Sequence, residues 1–271
     1  MKKLLIISAT LLLCLGASAQ KLTILHLNDT HSHLDPLPSG EAGVIERTAF
    51  IDSVRTADGK RNVLLVHAGD FSQGSSYFTL MNGDLEIKLI NAMKYDCITL
   101  GNHEFDIGLE EPGRRLSMLE GVPCVCCNYD FSTFEAGKYI TPYTIVKRGG
   151  KKIGIIGALC DISSVVSRAT ADRLPRLDTV TEVNKWAAKL KNEDKCDIVI
   201  VLSHMGYDGR EGAMNDSALV PQVRNVDIVI GGHSHTFLDE MDLTHKDLDG
   251  KTVPIVQDGC WGYNVGVLHS K

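Results

Sequence analysis

An α/β fold with a largely parallel, buried centre is the architecture this sequence predicts, on three observations. Short aliphatic runs alternate with amphipathic stretches along the whole chain; each run is bounded by Gly, Asp or Asn; and no repeat, low-complexity tract or Pro/Ser linker interrupts them. Strands are expected at 21–28, 62–67, 96–100, 123–127, 196–203 and 226–230, with 144–159 forming two strands that turn at Gly149-Gly150. A last strand-like stretch runs from Asn264 to His269. Helices are expected near 42–56, 84–94, 110–119 and 180–192, where apolar residues recur at helical spacing. A chain of this size buries one sizeable core, so a single domain is implied.

The first residues read as a secretory leader: Lys2 and Lys3, an apolar run from Leu4 to Leu15, and Ala17-Ser18-Ala19 as the cleavage site. This assigns 1–19 to a signal peptide and leaves 20–271 as the single domain, and predicts export to the periplasm or the extracellular space. The leader is shorter than the roughly 20 apolar residues that span a bilayer, and no later stretch is long enough, so no membrane span is expected. The whole chain carries 28 Lys and Arg against 34 Asp and Glu, a net of −6, which becomes −8 once the two leader lysines are removed. An acidic balance argues against a protein that coats nucleic acid polymers or lies on membranes, because both need a basic field. Beyond the leader, Cys97, Cys124, Cys126, Cys127, Cys160, Cys196 and Cys260 show no disulfide-framework or thiolate-zinc spacing, and most read as small buried hydrophobes.

Five strand-like runs end in Asp, Asn or His. Asp29 and His31 follow the first; Asp70 follows the second; Asn102 and His103 follow Ile98-Thr-Leu-Gly101; His204 follows Ile198-Val-Ile-Val-Leu-Ser203; and His233 and His235 follow Ile228-Val-Ile-Gly-Gly232. Ligands gather at the carboxyl ends of strands in open α/β sheets, so these ends are expected to converge on one crevice. Neutral imidazoles, two carboxylates and an Asn carbonyl suit borderline divalent ions such as Zn, Mn, Fe or Co. Seven donors are too many for one ion and fit two that share a bridging carboxylate, the arrangement used for displacement at phosphorus. Two such ions outweigh the charge of Asp29 and Asp70, leaving a site suited to a phosphate dianion. That inference favours a phosphatase over a metal store.

Asp29-Thr-His31, Gly69-Asp70, Gly101-Asn-His-Glu104, Ser203-His204 and Gly232-His-Ser-His235 resemble the five ordered blocks of calcineurin-like metallophosphoesterases. The longer strings Ile24-Leu-His-Leu-Asn-Asp-Thr-His-Ser-His-Leu34, Gly69-Asp-Phe-Ser-Gln-Gly-Ser75 and Tyr95-Asp-Cys-Ile-Thr-Leu-Gly-Asn-His-Glu-Phe-Asp106 are similar to the 5′-nucleotidase branch of that family. The resemblance implies a four-layer α/β/β/α sandwich and a dinuclear centre. Asp29, His31, Asp70 and His235 would hold one ion, and Asp70, Asn102, His204 and His233 the other. It also implies in-line attack on phosphorus by a metal-activated water, with His103 stabilising the transition state and Asp106 orienting His103.

His26 and His67 read as core or sheet residues, His33 falls outside the ligand pattern, and Glu104 reads as a turn-stabilising residue and not a general base. Full-length bacterial members of the branch carry a second domain that clamps the nucleoside, and nothing here supplies it; Tyr77-Phe78 is the one aromatic pair beside a ligand block. Three readings follow: an exported phosphomonoesterase acting on 5′-nucleotides, a catalytic half served by a separately encoded nucleoside-binding domain, and a metal-loaded binding module without catalysis. The metal blocks are shared with relatives that cleave 2′,3′-cyclic nucleotides or nucleotide sugars, so phosphodiester substrates stay open at this level.

Overall fold

Strands that are apolar on both faces are stable only when both faces are covered, and the computed structural model, which describes residues 21–164, 166–209 and 213–270, covers them in layers. The expected leader, 1–19, lies outside the described residues. The strands are β1 (Thr23–Leu27), β2 (Val63–His67), β3 (Cys97–Thr99), β4 (Cys124–Val125), β5 (Ile140–Thr141), β6 (Tyr143–Arg148), β7 (Lys151–Leu159), β8 (Ile198–His204), β9 (Ile228–Ile230), β10 (Ile255–Val256) and β11 (Gly266–His269). One sheet has the order β11-β1-β2-β3-β4-β5 and the other β10-β9-β8-β7-β6. Neighbours are parallel except at two edges, where β11 runs antiparallel to β1 and β6 antiparallel to β7.

The alternation of side chains sorts the core into three packed zones. Ile24, Leu64, Val66, Ile155, Ile200 and Leu202 meet between the sheets. Leu25, Leu27, Val63 and Leu65 face outward from the first sheet onto Ile51 of helix Val44–Asp58 and Ile87, Ile90 and Met93 of helix Asp84–Met93. Ile156, Val199, Val201 and Val229 face outward from the second onto Val183, Ala187 and Leu190 of helix Thr179–Asn192. That last helix starts where the Asp178 carboxylate accepts from the Thr181 amide at 2.8 Å, and its buried residues recur four and three apart. The result is the expected helix, sheet, sheet, helix stack.

The chain passes from the first sheet to the second between β5 and β6 at Pro142, and nearby the two sheets touch through backbone. The Cys127 amide donates to the Gly157 carbonyl at 2.9 Å. A Cβ at Gly157 would stand 2.0 Å from the Val125 carbonyl oxygen, so only glycine lets the sheets approach this closely.

Every long strand and helix expected from the sequence is present within a few residues. The helix expected over 110–119 is regular only at Glu111–Leu116; its last turn is tightened, with Met118 and Leu119 amides bonding three residues back. β5, β10 and the short helices Ser76–Met81, Arg168–Ala171 and Asp216–Leu219 have no counterpart in the sequence reading, because two to six residues carry too little periodicity. The seven cysteines among the described residues are unpaired, and six are buried. No helix among the described residues is long and apolar enough to cross a membrane.

Gly157→Ala is expected to force the sheets apart and to destabilise the fold by about 1–3 kcal/mol, the range for overpacking a tight core. Chemical denaturation would show this as a lower midpoint; an unchanged midpoint would mean that the inter-sheet contact relaxes freely.

Candidate metal centre

Parallel strands within a sheet deliver their following loops to one edge. The loops after β1, β2 and β3 bring Asp29, His31, Asp70, Asn102 and His103 there from the first sheet. The second sheet brings His204 as the last residue of β8, and His233 and His235 after β9. All seven expected ligands therefore meet in one cluster.

Two donor groups stand next to each other, joined by a third that contains Asp70. Asp29, His31 and His235 lie together, as do Asp70, His204 and His233, while His31, Asp70 and His103 link the two. His31 Nε2 is 3.0 Å from His235 Nε2 and 3.8 Å from both Asp29 Oδ1 and Asp70 Oδ2. His204 Nε2 is 3.0 Å from Asp70 Oδ2 and 3.3 Å from Asn102 Oδ1, and that same Asn oxygen is 2.7 Å from His233 Nδ1. Asp29, Asp70, Asn102 and His204 are buried, whereas His103, Asp106 and His235 keep partial access to solvent and mark the mouth of the crevice.

The donor set fits divalent cations on its own chemistry. Asp29 and Asp70 are buried carboxylates, and among the described residues their ion-pair partners are histidines, never Lys or Arg. Buried charge needs countercharge. Burial raises the Asp70 pKa, but His204, His31 and His103 together pull it below the usual carboxylate range. Burial likewise opposes charge on His204, yet Asp70 and Asp29 raise it to about 10. Two carboxylates are thus drawing positive charge out of an imidazole. Burial lowers His31, and burial with the neighbouring His204 lowers His233 to about 4, so both shifts favour the neutral ring that a metal ligand needs.

Supporting contacts hold the donors in place. The Ala68 carbonyl lies 2.7 Å from His204 Nδ1, which fixes that proton and turns Nε2 toward Asp70. Asn28 donates to Asp29 Oδ2 at 2.6 Å, and the His233 amide donates to the same oxygen at 2.9 Å. Glu104 accepts the amides of Asp70 at 3.0 Å, Gly101 at 2.6 Å and Ser72 at 3.2 Å, together with the Ser72 hydroxyl at 2.6 Å. It therefore ties the loop after β2 to the loop after β3, consistent with its reading as a structural residue. Buried Arg115 completes the knot through Ser72 Oγ and the Glu104 carbonyl. At Gly101 a Cβ would lie 2.0 Å from Asp70 Oδ1, so the close approach of that carboxylate requires glycine.

Backbone strain is concentrated here. Asp29, His31, Asp70, His233 and His235 all have φ between 47° and 78°, the left-handed region that side-chain-bearing residues avoid. Five of the seven expected ligands thus carry a conformational cost for their position.

His103 lies against the donors and has a carboxylate partner of its own. Its amide donates to Asp70 Oδ1 at 2.9 Å, and its ring faces that of His31 with centroids 5.2 Å apart. Its Nδ1 is 2.8 Å from Asp106 Oδ2, and this hydrogen bond raises the His103 pKa against partial burial. Other histidines are elsewhere employed: His26 pairs with Asp258 at 3.0 Å, His245 with Asp242 at 3.0 Å, and His67 is buried against Phe71 and Tyr95 with its pKa lowered to about 3 by burial. Asn28, Ser72, Arg115 and the Ala68 carbonyl were not singled out by the sequence; only the position of Asn28 directly before Asp29 offered a signal.

A family model described as calcineurin-like phosphoesterase matches residues 22–237. The chain is 33% identical to the snake venom 5′-nucleotidase of Naja atra over 92% of its length, and 32% identical to the 5′-nucleotidase of Homo sapiens over 96%. These alignments cover 50% and 49% of the two relatives, so the chain spans about half their length. The crystal structure of a 5′-nucleotidase precursor from Thermus thermophilus superposes with a TM-score of 0.78 at 32% identity, covering 93% of this chain and 51% of that one. The chain belongs to the calcineurin-like phosphoesterase family.

Replacing Glu104 by Gln would aim an amide donor at groups that already donate. Glu104→Gln is expected to lower stability by about 1–3 kcal/mol, the cost of unsatisfied buried polar groups. It should also weaken divalent-metal uptake by displacing Asp70 and Asn102. Urea denaturation and metal analysis check both; wild-type values in both would remove Glu104 from the support of the site.

Proposed function

We propose that this family member is an exported dinuclear-metal phosphomonoesterase that converts 5′-nucleotides to nucleoside and inorganic phosphate. The observation that carries the reading is the pair of donor groups, Asp29–His31–His235 and Asp70–His204–His233, joined by His31–Asp70–His103 around two buried carboxylates whose ion-pair partners among the described residues are histidines. Asp29, His31, Asp70 and His235 would hold one divalent ion, and Asp70, Asn102, His204 and His233 a second. When bound, such ions polarise phosphoryl oxygens and lower the pKa of water, which suits hydrolysis at phosphorus.

The chain's own residues have separate tasks in this scheme. Asn102 and Asp70 set the position of the reacting phosphoryl group by fixing the donors around it. Asp106 holds His103 by Nδ1 and favours its imidazolium, so Nε2–H is free to donate to a phosphoryl oxygen as negative charge develops. The partly open side formed by His103, Asp106 and His235 is where substrate enters and the leaving group departs. The nucleotide substrate class is supported by the relatives, which are named 5′-nucleotidases.

A second reading is favoured by the coverage of about half of each relative. A further domain would supply nucleoside contacts. A groove of about 840 Å³ lined by Phe50, Phe237, Met241, Leu243 and Val267, all substantially exposed, offers apolar surface for such a domain.

Phosphate release from AMP and from p-nitrophenyl phosphate, with added Mn or Zn, tests both readings. Rapid release from AMP by this chain alone supports the first; release from the small ester with poor AMP turnover supports the second; release from neither defeats the phosphoesterase reading. In the same assay Asn102→Ala and His235→Ala should lose metal and activity together, and full activity in either would overturn the ligand assignment. His103→Asn should retain metal and lose roughly 10²–10⁴ in turnover, the range for a positioned proton donor or charge stabiliser. Export predicts a mature protein that begins at Gln20, which intact-mass measurement of the secreted chain reads directly; retention of the leader would rule out cleavage there.

A further inference from the structure

The exposed aromatic surface beside the candidate centre is not Tyr77-Phe78. Phe78 is buried, and the Tyr77 hydroxyl donates to Asp35 at 2.7 Å. It is instead a cluster drawn from two loops more than two hundred residues apart. His33 follows β1, and Trp261 and Tyr263 follow β10, so all three stand at carboxyl ends of strands, as the candidate ligands do. The His33 ring stacks on the Trp261 indole with centroids 5.1 Å apart and planes inclined by 21°. Tyr263 meets the same indole at 5.5 Å and 76°, which makes a right-angled corner of two rings.

Both loops are pinned to the backbone of the centre. The Trp261 amide donates to the Asp29 carbonyl at 2.6 Å, and His33 Nδ1 lies 2.9 Å from the His31 carbonyl. Buried Arg47 ties the two loops together by donating to the His33 carbonyl at 2.7 Å and the Trp261 carbonyl at 3.3 Å. Trp261 is held at φ 61°, an unfavourable conformation for a bulky residue. Even so, 39% of Trp261 and 42% of Tyr263 remain exposed. A strained indole, backed by one ring and left open to water, gains little from burial; what it offers is a rigid π surface one loop away from Asp29 and His31.

We propose that this corner is a stacking platform for an aromatic leaving group, and that Trp261 and Tyr263 are specificity-determining residues that favour phosphate esters carrying a nucleobase. The inference rests on the phosphoesterase reading above and adds the part of the substrate that this chain itself recognises. Stacking accepts any base because every base has a π face, so the platform selects nucleotides over sugar phosphates without reading base edges. The larger purine face gains more from it than a pyrimidine.

The test compares kcat/KM for AMP and for ribose 5-phosphate, using the full chain with added Mn. Trp261→Ala is expected to lower the AMP to ribose 5-phosphate ratio roughly 5- to 100-fold, as loss of one base–aromatic stack predicts, chiefly through the KM for AMP. Trp261→Phe should recover most of the ratio. Tyr263→Leu, at a position outside the left-handed region, should lower it in the same direction without disturbing the strained residue. Equal losses on both substrates, or a ratio unchanged in all three variants, would overturn the platform while leaving the phosphoesterase reading intact. Saturation-transfer NMR with adenosine reads the platform even if neither ester is hydrolysed. Transfer to the adenine protons that disappears in Trp261→Ala supports it, and equal transfer from both proteins overturns it.

Discussion

Two carboxylates buried side by side, with histidines as their only ion-pair partners among the described residues, are the constraint around which this molecule is arranged. Asp29 and Asp70 follow adjacent parallel strands, so the β1–β2 register brings the loops that carry them side by side. Their mutual repulsion has to be met by positive charge. The second sheet answers with His204, His233 and His235, which is why the cluster can exist only where the two sheets come together at their carboxyl ends.

That electrostatic demand explains features that would otherwise look like defects. Left-handed backbone at five donors is costly, and it persists because the hydrogen bonds around it leave no alternative. Glu104 fastens one loop to another, Asn28 and the His233 amide fasten Asp29, and Ala68 aims His204. These contacts orient the donors, which is the condition for a site that holds cations in a set geometry.

Much of this was legible in the sequence, and the division has physical causes. Long strands such as those ending at His67 and His204 announce themselves by continuous apolar runs, because both of their faces are buried. The polar residues directly after such runs are conspicuous, so the donor cluster could be listed before its geometry was known. Two-residue strands such as Ile255–Val256 leave no pattern, and their existence depends on a neighbour already in place. The corner formed by His33, Trp261 and Tyr263 was equally hidden. Its members sit far apart in the chain, and an exposed tryptophan in left-handed backbone has no local signature.

The antiparallel pairing of β11 with β1 has a consequence for how the chain reaches this state. Thr23 lies opposite His269, so among the described residues the first strand is completed by the last. A chain that emerges in order must hold β1 with one open edge until residues 266–269 are available. Contacts of such long sequence separation are slow to form, because loop closure must be met before pairing rewards it. His31 and His235, 204 residues apart, cannot meet any sooner. The centre is therefore among the last features to assemble, and a fragment released early exposes a hydrogen-bonding edge in place of a site.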